Sequence, residues 1–105
     1  MTRSSTRIYS QIDYRRLAAA ALPHLPHLLP RWLPDGQRSG SEWVARNPTR
    51  DDSTLGSFKI NLCTSRWADF ATGDKGGDAI SLLAYLHGTS QGQAARFLMR
   101  ELEVQ

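Results

Sequence analysis

Ser57-Phe-Lys-Ile-Asn-Leu62 and Arg66-Trp-Ala-Asp-Phe70 are two short runs separated by only three residues in the middle of the chain. In the first run apolar and polar residues alternate, with Phe58 and Ile60 on one face and Lys59 on the other. This period of two is typical of a β-strand with one buried face. The short segment between the runs fits a hairpin turn, so the pattern predicts two neighbouring antiparallel strands.

A third run, Glu42-Trp-Val-Ala-Arg46, lies upstream and has the same aromatic and β-branched character. The polar residues 47–56 between it and the hairpin are typical of a loop. We therefore expect a small three-stranded antiparallel sheet over residues 41–72.

Helical periodicity flanks this sheet on both sides. Asp13 precedes an apolar stripe with a spacing of three and four residues, which predicts a capped helix in a segment spanning 11–35. Pro30 within that segment is expected to kink or split it. After the sheet, Asp78 as N-cap and Gly88 as C-terminal stop frame the first of two helices within 78–103. The expected fold class is α+β, a small sheet between N-terminal and C-terminal helices.

The length and composition restrict the class of protein. A chain of 105 residues is long enough for one domain, which we place at 11–105 after a flexible arm at 1–10. The single cysteine excludes an internal disulfide and a thiolate-rich zinc site. No apolar run is long enough to cross a membrane and no secretory signal is present, so we expect a cytoplasmic protein without a membrane partner.

The charge is mildly basic, with 13 Lys and Arg against 10 Asp and Glu and a formal net charge of +3. This balance is compatible with a polyanionic partner. Basic residues also alternate with aromatic ones along the sheet, and cations and rings together suit single-stranded nucleic acid. The candidate nucleic-acid-binding residues are Arg46, Lys59, Arg66, Trp67 and Lys75. For Trp67, a place in the core is an equally open alternative.

Three other sets of residues could carry chemistry. The glycine-rich segment 73–78 is better explained as a tight strand-to-helix turn than as a phosphate cradle, because Asp78 would occupy the helix-start donors. Converging carboxylates could hold magnesium in a nuclease, and the candidates are Asp51, Asp52, Asp69, Asp74 and Asp78. Local roles are at hand for four of them, since Asp51 and Asp52 lie in a loop, Asp74 in a turn and Asp78 at a helix cap. The histidines and the cysteine are expected at the surface rather than as metal ligands: His24, His27, Cys63 and His87.

Several motifs together resemble the N-terminal zinc-ribbon domain of bacterial and phage-type DNA primases. They are Asn47-Pro-Thr-Arg50, Gly56-Ser-Phe58, Trp67-Ala-Asp-Phe-Ala-Thr-Gly73 and Gly76-Gly-Asp-Ala-Ile-Ser-Leu82. The similarity covers residues 42–88, and the Gly-Gly-Asp start of the helix is its most specific part.

The resemblance places the four zinc-ligand positions of that family on Asn47, Arg50, Asp69 and Thr72. Arginine has no lone pair to offer, and the neutral Asn and Thr side chains are poor zinc ligands. We therefore predict a ribbon without metal or cofactor, in which Arg50 and Asp69 form an ion pair assisted by Asn47 and Thr72.

The resemblance implies a non-catalytic DNA-binding accessory that acts in replication of a phage, plasmid or integrative element. Single-stranded DNA is the expected partner, together with a replicative helicase or a primase or polymerase. Two alternatives stay open at this point: a protein-protein adaptor or inhibitor that mimics a primase domain, and a small magnesium-dependent nuclease.

Overall fold

One antiparallel sheet of five strands, each paired with the next along the chain, organises the described part of the protein. The structure is a computed structural model, and it describes residues 12–53 and 55–103. The strands are β1 Gln37–Ser39, β2 Glu42–Ala45, β3 Phe58–Asn61, β4 Trp67–Asp69 and β5 Lys75–Gly76. The expected flexible arm at 1–10 lies outside the described residues.

The α+β class is confirmed, whereas the expected number of three strands is wrong. β2, β3 and β4 are the three predicted strands, and β1 and β5 extend the sheet on either side. β1 pairs with β2 across a two-residue turn in which Gly40 has a φ of 62°, a conformation that glycine adopts without steric cost. β5 pairs with β4 inside the glycine-rich segment that the sequence indicated as a turn.

The helices before the sheet are α1 Tyr14–Ala21 and α2 Leu25–Trp32, joined by a 3₁₀ turn at Leu22–His24. The predicted cap is confirmed, since Asp13 Oδ1 accepts from Arg16 N at 3.1 Å. Pro30 does not split the segment, because it lies inside α2, and the segment divides at the 3₁₀ turn instead. A proline in the first turn at Pro26 needs no hydrogen-bond donor, so α2 can begin there.

The helices after the sheet are α3 Ala79–His87 and α4 Gln91–Glu103. Asp78 caps α3 through Ser81 N at 2.8 Å, and Gly88 ends it with a φ of 63°, as predicted. At the start of α4, Ser90 Oγ accepts from Gln93 N at 3.1 Å.

The core lies between one face of the sheet and the helices. Phe58 and Ile60 of β3 are fully buried there, as their alternation predicted. The largest buried apolar residues around them come from α2, α3 and α4: Leu25, Leu28, Leu29, Ile80, Leu82, Leu83 and Leu98. The sheet thus has one covered face and one outer face.

Candidate nucleic-acid interface

Strand register assigns each sheet residue to the covered or the outer face. Directly paired residues of antiparallel strands share a face, so the pairs of Lys59 with Val44 and with Ala68 belong to the outer face. Ala68 in turn pairs with Lys75. Lys59 and Lys75 therefore lie in one cross-strand row, two strand spacings or about 10 Å apart.

A shallow groove of about 400 Å³ crosses this outer face. Its lining includes three cations, Lys59, Arg66 and Lys75, together with Phe70 and a single acidic residue, Glu42. None of the three cations forms an ion pair within residues 12–53 and 55–103. The groove is therefore a surface on which positive charge is not neutralised by a direct salt bridge.

Phe70 is the exposed aromatic ring of this groove, with 71% of its surface accessible. Lys59 Nζ lies 5.9 Å from the centre of the ring, a cation–π distance. Phe70 is held at the end of β4 by its backbone, since its N–H donates to Ser57 O at 2.8 Å. Single exposed apolar residues are common on protein surfaces, so what distinguishes Phe70 is its place in the lining that also contains Lys59, Arg66 and Lys75.

Trp67, predicted to stack on nucleic acid, lies on the other face of the sheet. It pairs with the buried Ile60, is only 5% exposed, and donates from its indole N–H to Ser81 Oγ at 2.9 Å. Its ring packs against Tyr85, with ring centroids 4.7 Å apart. Trp67 is therefore a core residue, and stacking a base on it would require opening the sheet from the helices.

Arg46, the remaining predicted contact, is exposed but does not line the groove. It borders a separate depression of about 70 Å³ beside Trp32, Asp35 and Pro48. The structure therefore brings together Lys59, Arg66 and Lys75 and leaves Arg46 apart from them. Phe70, rather than Trp67, is the aromatic ring exposed in the groove, and its only sequence signal was the two-residue alternation after Ala68.

A buried polar cluster lies behind the sheet, next to the end of β4. Its centre is the fully buried carboxylate of Asp69, which accepts from Arg50 Nε at 2.8 Å and from a second Arg50 nitrogen at 3.3 Å. Asn47 Nδ2 donates to the same carboxylate at 2.8 Å, and Ala71 N donates at 2.9 Å. The structure thus pairs Arg50 with Asp69 and adds Asn47 on the same carboxylate.

Tyr85 of α3 joins this cluster, a contact that the sequence analysis missed. Its hydroxyl accepts from Asn47 Nδ2 at 2.8 Å and donates to Asp74 Oδ2 at 2.6 Å. Thr49 Oγ1 donates to Asn47 Oδ1 at 2.7 Å. Because Tyr85 lies on a helix distant in sequence from the loop, no local pattern indicates the contact.

Thr72, the fourth expected member, does not contribute its side chain to the carboxylate. Its backbone N–H donates to Asp69 O at 3.2 Å, while its hydroxyl accepts from Asp74 N in an exposed turn. The expected assistance of Thr72 to the ion pair is therefore wrong. Asp52 takes part instead, with a carboxylate oxygen 3.4 Å from Arg50 and 2.8 Å from Asn47 N.

These contacts shift the ionisation of the central pair. The hydrogen bonds from Arg50 and Asn47 hold the pKa of Asp69 far below its usual range, despite the opposing effect of burial. The hydrogen bond to Asp69 raises the pKa of Arg50 further above its already high value. Both residues are therefore charged at neutral pH, and the pair is structural rather than a source of protons.

Four of the five carboxylates considered for a nuclease have partners among the described residues. Among the described residues, no three His, Cys, Asp or Glu side chains form a group that could hold a metal ion. Asp69 and Asp52 are engaged by Arg50, Asp74 by Tyr85, and Asp78 by the start of α3. Cys63 is an exposed free thiol at the hairpin turn, and His87 contacts Phe97 edge-on.

Comparison with protein-family models, curated proteins and solved structures gives no match for this chain. Within the described ranges, no helix is both long and apolar enough to cross a bilayer. The case for a function therefore depends on the geometry of the groove and on the motifs in the sequence.

Proposed function

We propose that this protein binds single-stranded nucleic acid on the outer face of its sheet, without catalysing a reaction. The observation that carries the proposal is the groove whose lining combines the exposed ring of Phe70 with three cations that form no ion pair among the described residues: Lys59, Arg66 and Lys75. Cations neutralise phosphates, and an exposed ring offers a platform on which a base can stack.

The arrangement favours a single strand over a duplex. In a duplex the flat faces of the bases are covered by their neighbours, so Phe70 would have no partner there. In a single strand the bases are free to turn toward the ring while the backbone follows the cations. The groove extends from Glu42 of β2 across β3 and β4 to β5 and fits a short stretch of a few nucleotides.

The sequence resemblance to primase zinc ribbons supports DNA as the nucleic acid. On that basis we propose an accessory role in DNA replication of a phage, plasmid or integrative element. A helicase, primase or polymerase would be the accompanying protein partner.

The test is a fluorescence anisotropy titration of labelled single-stranded and double-stranded oligonucleotides across a series of salt concentrations. Three phosphate contacts on a single strand give a log–log salt slope of about −2. Arg66→Ala or Lys75→Ala should each make this slope shallower by about 0.7. Phe70→Ala should weaken single-strand binding by about 1–3 kcal/mol and leave the slope almost unchanged.

Arg100→Ala is the matched control, because Arg100 is an exposed arginine of α4 that does not line the groove. Its removal should leave binding nearly as in the wild type. A wild-type protein that binds no oligonucleotide even at low salt would refute the proposal and favour the adaptor alternative. Equal losses for Arg100→Ala and Arg66→Ala would instead refute the assignment to this groove.

A further inference from the structure

Glu42 is the one acidic residue among those that line the basic groove. It lies on the outer face of β2, half-buried, directly opposite Asn61 of β3. Its carboxylate makes no hydrogen bond and no ion pair with any residue of the described ranges. A carboxylate thus lines the groove without a hydrogen-bond or ion-pair partner among the described residues.

A carboxylate at this place is unfavourable for a surface that only attracts phosphate, since it repels the backbone that the cations attract. An ionised carboxylate is an acceptor only and needs an N–H or O–H donor. Nucleic acid bases supply such donors, and Glu or Asp accepting from the amino group of cytosine is a common base contact.

The cross-strand row that contains Glu42 also contains a hydrogen-bond donor, Asn61, and a cation, Arg66. Asn61 lies between Glu42 and Arg66, and its backbone N–H donates to Arg66 O at 2.7 Å. Asn61 Oδ1 accepts from Cys63 N and Thr64 N, which leaves its amide N–H groups for a ligand. Glu42 is two strand spacings from Arg66, about 10 Å, so a nucleotide with its phosphate at Arg66 can extend its base toward Glu42.

We propose that Glu42 makes the groove selective for bases that carry an exocyclic amino group, with cytosine preferred over uracil or thymine. This inference rests on the proposed function and adds a base preference to it. Cytosine places an N–H donor at C4 against the carboxylate and offers acceptors to the Asn61 amide. Uracil and thymine place an oxygen at C4, where two acceptors would repel each other.

The experiment compares oligodeoxycytidine with oligodeoxyuridine of equal length, at mildly alkaline pH, by anisotropy. The two bases differ at C4, where cytosine has an amino group and uracil an oxygen. They also differ at N3, which is an acceptor in cytosine and an N–H donor in uracil. The wild type should bind oligodeoxycytidine about fivefold more tightly, which is a modest value for a charged hydrogen bond at a wet site. In Glu42→Gln this preference should disappear, mainly because binding of oligodeoxyuridine improves.

Glu103→Gln on α4 is the matched control and should keep the preference. Circular dichroism of Glu42→Gln establishes that the sheet is intact. Equal binding of the two oligonucleotides by the wild type, or a preference that persists in Glu42→Gln, would overturn the base selectivity alone. An equal gain in affinity for both ligands in Glu42→Gln would mean that Glu42 acts only as a general repulsive charge. That result would also overturn the base selectivity. Absence of binding to either ligand would overturn the proposed function as well.

Discussion

Removing Asp69 should destabilise the protein strongly, and the loss should depend on Arg50. Asp69→Leu leaves the guanidinium of Arg50 without its main partner and the Ala71 N–H without an acceptor. Breaking a buried ion pair on one side costs about 3–5 kcal/mol. We expect about 3 kcal/mol, the lower end, because the Arg50 side chain is 29% exposed and keeps contacts with Ser57 and Asp52.

The assay is a double-mutant cycle with Asp69→Leu, Arg50→Met and the double variant, measured by urea unfolding. The change in free energy of unfolding for the double variant should be smaller than the sum of the single changes by about 1–3 kcal/mol. Arg16→Met is the control, because the contact between Arg16 and Asp13 is 3.9 Å long and highly exposed, and its loss should not alter the unfolding midpoint. Additive effects of Asp69→Leu and Arg50→Met would refute the argument that the two side chains stabilise each other.

Two further predictions concern stability. The pKa of Asp69 is lowered in the folded state, so the unfolded state binds more protons at low pH. The stabilisation that ionised Asp69 provides is therefore present above its ordinary pKa of about 3.9 and is lost as the pH falls below that value. Thermal melting between about pH 5 and 2 should therefore show a smaller loss of stability for Asp69→Asn than for the wild type, and parallel curves would contradict the assignment. Gly76→Ala should lower the melting temperature by several degrees, because a Cβ at this position collides with the Trp67 indole and Ser81 Oγ. The neighbouring Gly77, where a Cβ meets open space, gives the control Gly77→Ala, and equal effects at both positions would exclude the collision as the cause.

The sequence carried enough information for the middle of the sheet and for the ends of α3. Phe58 and Ile60 alternate with Lys59 because one face of β3 packs against helices, and this local pattern survives in the fold. Asp78 and Gly88 were predictable because a cap depends on the few residues around it. The strands β1 and β5 were not predictable, since their short polar sequences pair only because β2 and β4 are already in place.

The candidate site was predictable only in part, for a related reason. Charge and alternation were enough to name the cations Lys59, Arg66 and Lys75. They were not enough to predict which face of the sheet carries the Trp67 side chain. It depends on the register of the hairpin, where Ser65 adopts a φ of 65° and Ile60 pairs with Trp67. A different register by one residue would have placed the indole outside.

The two outermost strands determine how another molecule can approach this sheet. β1 has three residues, all exposed and polar, and β5 has two, one of them a lysine. An incoming peptide strand would find few unpaired backbone groups along either side, so the sheet resists being extended by strand addition. Self-association through these edges is disfavoured for the same reason. A partner that lies flat across the strands meets no such obstacle, and a flexible polyanion is a partner of that kind.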